Sequence, residues 1–356
     1  MWKNSVFTSM AGIDYPIVQA GMAGGVTTPE LVAAVSSAGG LGTLGAGYMN
    51  AESMEKSIQK IKSLTSATFG VNLFIPEYPE IDQEELQKAS KKLNSYREEL
   101  GIERSELPSN TTSSFKSQLE LVLKYRVPVC SFTFGVPDKE VVQELKREDI
   151  LVIGTATTVQ EAVVNEENGV DVIVAQGSEA GGHRGSFLSA FDKAMIGTIS
   201  LVPQVVDEVN VPVIAAGGIM DGRGLLAACA LGAQGVQMGT AFVTSLESGA
   251  KEPHKQAILH TTEEKTVITS AFSGKPARGI ENQFIRNMKS YEGDLPAYPL
   301  QNSLTKDIRK EAANQNKPEY MSLWSGQSPR LSQQLSASAI VEKAVAEAEQ
   351  LMKRLS

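Results

Sequence analysis

Most of the chemistry this chain can offer is concentrated in VIVAQGSEAGGHRG at 172–185. Val172–Gln176 is apolar, rich in β-branched residues and bounded by Asp171 and Gly177, as a strand buried on both faces would be. The residues beyond it do not suit a strand. Gly177, Gly181, Gly182 and Gly185 lack a Cβ, so the backbone can take positive φ and come close to a flat or charged ligand. His183 sits inside this loop with Glu179 and Arg184 close by. Four glycines alone would read as a turn; a titratable side chain among them, at the end of a buried strand, points to a site.

A second chemistry is written further on. Ala215-Ala216-Gly217-Gly218-Ile219 and Gln237-Met238-Gly239-Thr240-Ala241 each follow a short apolar run. Unpaired N–H groups at a following helix start carry about half a positive charge, which suits a phosphate without any lysine. Thr240 can add a hydroxyl, although as a lone residue it would read as a helix cap. Asp221, ahead of Gly222-Arg223-Gly224, reads simply as a cap.

These loops need elements to carry them, and the chain supplies a regular alternation. Apolar runs at 16–20, 41–44, 69–74, 129–132, 151–154, 172–176, 213–216 and 235–238 read as strands. Helical patterns lie between them, several with clear starts: Thr28 before Pro29, Asn50 before an amphipathic run, Pro137-Asp138, Thr157 or Thr158, Thr198 and Asp221. Eight strands in this rhythm predict an α/β fold, a (βα)8 TIM barrel with a smaller second domain as cap, its working face at the strands' C-terminal ends. The rhythm breaks at 75–117, where one helix is expected over 83–100 and a Ser/Thr/Asn loop at 109–114. It decays again after 248, apart from an amphipathic helix at 337–355. The expected division is a barrel from 1–75 and 118–250, with the insertion at 76–117 and the tail at 251–356 forming the cap.

Composition narrows the function classes. A formal net charge of −8 opposes non-specific binding to nucleic acid or an anionic membrane, while leaving room for a local phosphate pocket. Residues 1–10 show no signal-peptide core, and no run approaches a spanning helix. Cys130 in a strand and Cys229 in a helix read as reduced thiols, so a cytoplasmic protein is expected. No metal-ligand pattern is evident.

The motifs PIVQAGMAGG (16–25), AQGSEAGGHRG (175–185), AAGGIMDGRG (215–224), GVQMGTAF (235–242) and SAFSGKPARG (270–279) resemble the nitronate monooxygenases, FMN-dependent barrels formerly called 2-nitropropane dioxygenases. The resemblance implies FMN, with its phosphate at the loops after the seventh and eighth strands. It also implies oxidation of an alkyl nitronate such as propionate 3-nitronate by O2 to a carbonyl compound and nitrite, with nitronate detoxification as the role. It places Asn72, Gln176, Gly181, Gly217, Gly218, Gln237, Met238, Gly239 and Thr240 on the cofactor, Met22, Ala23 and Gly24 along its ring, and His183 as the catalytic residue. The histidine would either take the α-proton of a neutral nitroalkane or, as imidazolium, hold a nitronate. Lys275 and Arg278 would add positive potential to the mouth or stand as solvated loop charges; His254 and His260 read as structural. The implied partners are a small-molecule nitronate and O2, with a homodimer left open.

Two other readings stay open. An FMN- and NADH-dependent enoyl-acyl-carrier-protein reductase is similar in barrel, glycine loop and histidine, although the net charge disfavours an acidic carrier, and LWSGQ at 323–327 looks more like the monooxygenase. A non-catalytic flavin-binding protein would have no use for a histidine over the ring.

Overall fold

The computed structural model describes residues 2–103, 107 and 114–355. Eight parallel strands close into a barrel: β1 (Ile17–Gln19), β2 (Leu41–Gly45), β3 (Phe69–Phe74), β4 (Val129–Thr133), β5 (Leu151–Ala156), β6 (Val172–Gln176), β8 (Val213–Ala216) and β9 (Gly235–Met238). β9 pairs back onto β1, with Gln19 opposite Met238, so no edge is left. The register aligns the functional ends. Gly45 faces Asn72, Asn72 faces Ser131, Gln176 faces Ala216 and Ala216 faces Gln237, all at the C-terminal rim.

Inside the barrel, Val18, Leu41, Val129, Ile153, Val172, Val174 and Ile214 form one apolar cluster. Its N-terminal mouth is plugged by the helix Val6–Ala11, which sends Phe7 and Ala11 into that cluster. Ser5 and Thr8 cap the plug reciprocally. Outside, helices follow the strands with the predicted starts: Thr28 accepts Leu31 N–H, Asn50 accepts Ser53 N–H, and Thr158 accepts Glu161 N–H.

Three features differ from the sequence reading. First, the loop after β6 is not free of strand: Gly182–His183 forms β7, antiparallel to β11 (Ala277–Ile280), which pairs with β10 (Thr266–Thr269). The partner edge comes from nearly a hundred residues away, so local residue types could not announce it. Second, the helix over 83–100 is two, Gln83–Lys92 and Asn94–Leu100, broken at the fully buried Leu93. Third, Ala337–Leu355 stands with the barrel, not with the cap: its apolar face packs on Gly222–Ala230 and Pro29–Ser37 and joins the barrel's outer cluster.

The insertion and the rest of the tail do share a core, in which Leu86, Leu93 and Leu100 meet Phe272, Phe284, Leu304 and Ile308. A buried ion pair, Arg97 Nε to Asp307 at 2.8 Å, ties them together. The loop expected at 109–114 lies almost wholly outside the described residues. Among the described residues no helix is long and apolar enough to cross a membrane, and no group of three or more His, Cys, Asp or Glu gathers as for a metal.

Candidate active site

The C-terminal rim of the barrel and the cap enclose two adjoining cavities, of about 190 Å³ and about 920 Å³. The inner one is walled by Met22, Ala23, Asn72, Gln176, Gly181, Gly217, Gly218, Gln237, Gly239 and Thr240. Gly24 lines the outer cavity, and His183 lines both. Met238 is at neither wall. It is one residue from Gln237 along β9, so its side chain takes the opposite face and is buried among the barrel's outer helices.

His183 is held by the unforeseen sheet. Its Nε2 lies 2.8 Å from Ser273 Oγ, and that hydroxyl lies 3.0 Å from the Lys275 carbonyl. A carbonyl can only accept, so the single hydroxyl proton goes to Lys275 O and Ser273 accepts Nε2–H from the imidazole. Nδ1 then carries the lone pair. Phe134, Tyr298 and Trp324 surround the ring at centroid distances of 5.8, 6.1 and 5.5 Å. Burial, reinforced by the positive charges of Arg309 and Lys275, lowers the His183 pKa to about 3. At neutral pH the imidazole is an uncharged acceptor.

That depression has a measurable consequence. Between the ordinary histidine pKa near 6.5 and about 3, the unfolded chain takes up a proton that the folded one refuses. His183 therefore lends no penalty above pH 6.5 and progressively destabilises the fold as the pH falls below it. Melting at pH 7.5 and 5.0 should show the native chain losing more Tm than His183→Asn, by on the order of a few degrees. Equal losses would mean that the ring titrates as it does in water.

The two charged neighbours of His183 in the sequence face away from the cavity. Arg184 is fully buried and donates to the carbonyls of Gly177 (2.6 Å) and Ala194 (2.8 Å). Both carboxylate oxygens of Glu179 accept Thr198 N–H at 2.9 Å, capping the helix Thr198–Glu208. Gln176 spends its amide on the same loop, donating to His183 O at 3.1 Å and accepting Gly185 N–H at 2.8 Å. Arg278 is buried, donating to Ser178 O at 3.0 Å, and Lys275 pairs with Glu77. Neither is a solvated loop charge.

Whether the residues fit a flavin can be tested on two features. Asn72 donates from Nδ2 to Ser131 Oγ (3.0 Å) and Thr133 Oγ1 (3.2 Å), while its buried Oδ1 has no partner. An unpaired buried acceptor at the cavity wall asks for an N–H from a ligand, and an isoalloxazine imide carries one. At the other end Gly217 and Gly218 take φ of +112° and +72°, conformations that open the backbone toward an anion. Thr240 is less free than its sequence suggested, since its hydroxyl accepts Gly326 N–H at 2.9 Å. The fit is good at both ends.

Sequence reasoning missed much of the cap's contribution. Tyr48 and Tyr298, hydrogen-bonded to each other, line the outer cavity with Arg309, which is fixed by Asn302 O and Oδ1 at 2.8 Å. His254, expected to be structural, reaches the cavity wall and donates from Nε2 to Trp324 O at 2.9 Å, fixing the indole beside His183. Only the LWSGQ motif hinted that the 323–327 segment matters. His260 bonds within its own helix, to Gln256 O.

A sequence model of the family described as nitronate monooxygenase matches residues 4–347. The proteins named "Probable nitronate monooxygenase" of Staphylococcus haemolyticus (strain JCSC1435) and Staphylococcus aureus (strain MSSA476) are each 52% identical, over 354 and 353 residues, with 99% of both chains covered. Among solved structures, nitroalkane oxidase from Streptomyces ansochromogenes is similar with a TM-score of 0.92 and 40% identity, covering 99% of this chain and 100% of that one. FabK from Thermotoga maritima is similar with a TM-score of 0.78 and 31% identity, covering 99% and 98%.

Proposed function

The chain belongs to the nitronate monooxygenase family, and from that premise we propose that it uses FMN to oxidise alkyl nitronates, propionate 3-nitronate among them, with O2 to a carbonyl compound and nitrite, as a nitronate-detoxifying enzyme. The observation that carries the reading is the buried, uncharged His183 with Nδ1 unprotonated, at the junction of a glycine-lined inner cavity and an outer cavity with basic walls. FMN would be held by Asn72 and Gln237 at the barrel rim, by Met22 and Ala23 beside the ring, and by the backbone of Gly217, Gly218, Gly239 and Thr240 at the phosphate. When bound, the flavin supplies the electron acceptor and the contact with O2.

The chain's own residues do the rest. His183 Nδ1 takes the α-proton of a neutral nitroalkane, with Ser273 holding the ring in the tautomer that leaves Nδ1 free. A preformed nitronate needs no such step and is held by the positive field of Arg309 and the lysines at the outer cavity wall. The lowered histidine pKa leaves the ring uncharged at neutral pH, so the resting site presents a free Nδ1 lone pair and no imidazolium anchor. Phe134, Tyr298 and Trp324 keep water from the reacting face.

Oxygen uptake and nitrite release with propionate 3-nitronate test the proposal. Both should appear in the FMN-loaded protein and be absent without flavin; a loaded protein that releases no nitrite would overturn it. The likeness to FabK keeps a reductase as the second reading, and rapid NADH oxidation would favour it.

A further inference from the structure

The outer cavity has an uneven charge. Among the described residues that line it, Glu77 is the one carboxylate, against Lys251, Lys306, Arg309 and Lys310. Glu77 stands on the loop after β3, and its ion-pair partner Lys275 stands on the turn between β10 and β11 that also supplies Ser273 to His183. The Lys275 ammonium lies 4.8 Å from the Phe134 centroid and 5.8 Å from that of Tyr298, the two rings packed against His183. The Lys275 side chain is largely buried and the Glu77 side chain about a third exposed. The carboxylate thus reaches the wall, and the cation lies behind it, beside the ring that works on substrate.

We propose that Glu77 sets the discrimination between anionic and neutral substrates: in the free protein it neutralises Lys275, and a bound anion takes over that cation. The proposal rests on the nitronate reading of the site. An anion entering the cavity meets repulsion from Glu77 and a Lys275 whose charge is already spent, whereas a neutral nitroalkane feels neither. Removing the carboxylate's charge removes the repulsion and releases the ammonium, so both changes favour the anion.

The experiment compares kcat/KM for ethyl nitronate with that for neutral nitroethane in the FMN-loaded native protein, Glu77→Gln, Glu77→Asp and Lys275→Met. The ratio of anion to neutral should rise on the order of tenfold in Glu77→Gln and fall by a similar factor in Lys275→Met. Glu77→Asp, which keeps the charge, should stay near the native ratio. If the pair only braces the mouth, all three variants lose activity on both substrates together. An unchanged ratio in Glu77→Gln, or a fall in it, overturns the proposal. Turnover of nitronate by the native protein, measured first, tests the functional reading separately.

Discussion

Replacing His183 with Asn is expected to slow turnover of neutral nitroalkane by about 100-fold or more while leaving the flavin bound, the scale usual for losing a positioned acid–base group. The side chain touches the outer face of the cavity, and none of the groups assigned to the phosphate or to the Asn72 end depends on it. Asn keeps a polar group near Ser273 but has no nitrogen that can take a proton. Nitronate turnover should fall less, because that substrate arrives without the α-proton. Flavin content is read from absorbance, and the two substrates are read by oxygen uptake. Equal, small losses on both substrates would make the imidazole a bystander; loss of flavin would move its role from chemistry to binding.

The second large effect is expected at Gly181. Built onto the backbone there, a Cβ lies 2.4 Å from Gly326 N and 2.6 Å from Ser325 C. Those are main-chain atoms with no rotamer to turn, so the segment 325–328 must move. That segment donates Gly326 N–H to Thr240 and Ser328 Oγ–H to Gly218 O, the two loops of the phosphate cradle. Gly181→Val should therefore weaken FMN by roughly 5- to 150-fold, the range that 1–3 kcal/mol of overpacking spans. The cause is displacement of the lid over the cradle, more than a block on direct backbone approach to the ring. Flavin titration of the apoprotein measures it, and affinity equal to that of the native chain would show the segment to be slack.

The barrel was legible because its signals are local. Val172–Gln176, Val213–Ala216, Gly235–Met238 and Ala337–Leu355 fall where the apolar runs and their glycine or charged boundaries put them. Helix starts were legible for the same reason, since Thr28, Asn50 and Asp221 each cap a neighbour two or three residues on. What could not be read depends on distant partners. The strand character of Gly182–His183 needs Ala277 and Arg278, and the plug at Phe7 becomes visible only when the barrel closes around it. Most of the cavity's aromatic and cationic walls come from 298–324, where no periodicity marks the residues as close to His183. Met238 shows what a motif leaves unsaid about side chains: the pleat sends alternate residues to opposite faces, and the Met238 side chain went to the core.

Anaerobic mixing of the FMN-loaded protein with propionate 3-nitronate and, separately, with NADH, followed in the flavin's visible absorbance, tests the central claim most directly. The nitronate should bleach that absorbance within the turnover time, and NADH should leave it nearly untouched. Bleaching by NADH with no response to nitronate would contradict the assignment of His183 and the cationic cavity to nitronate oxidation.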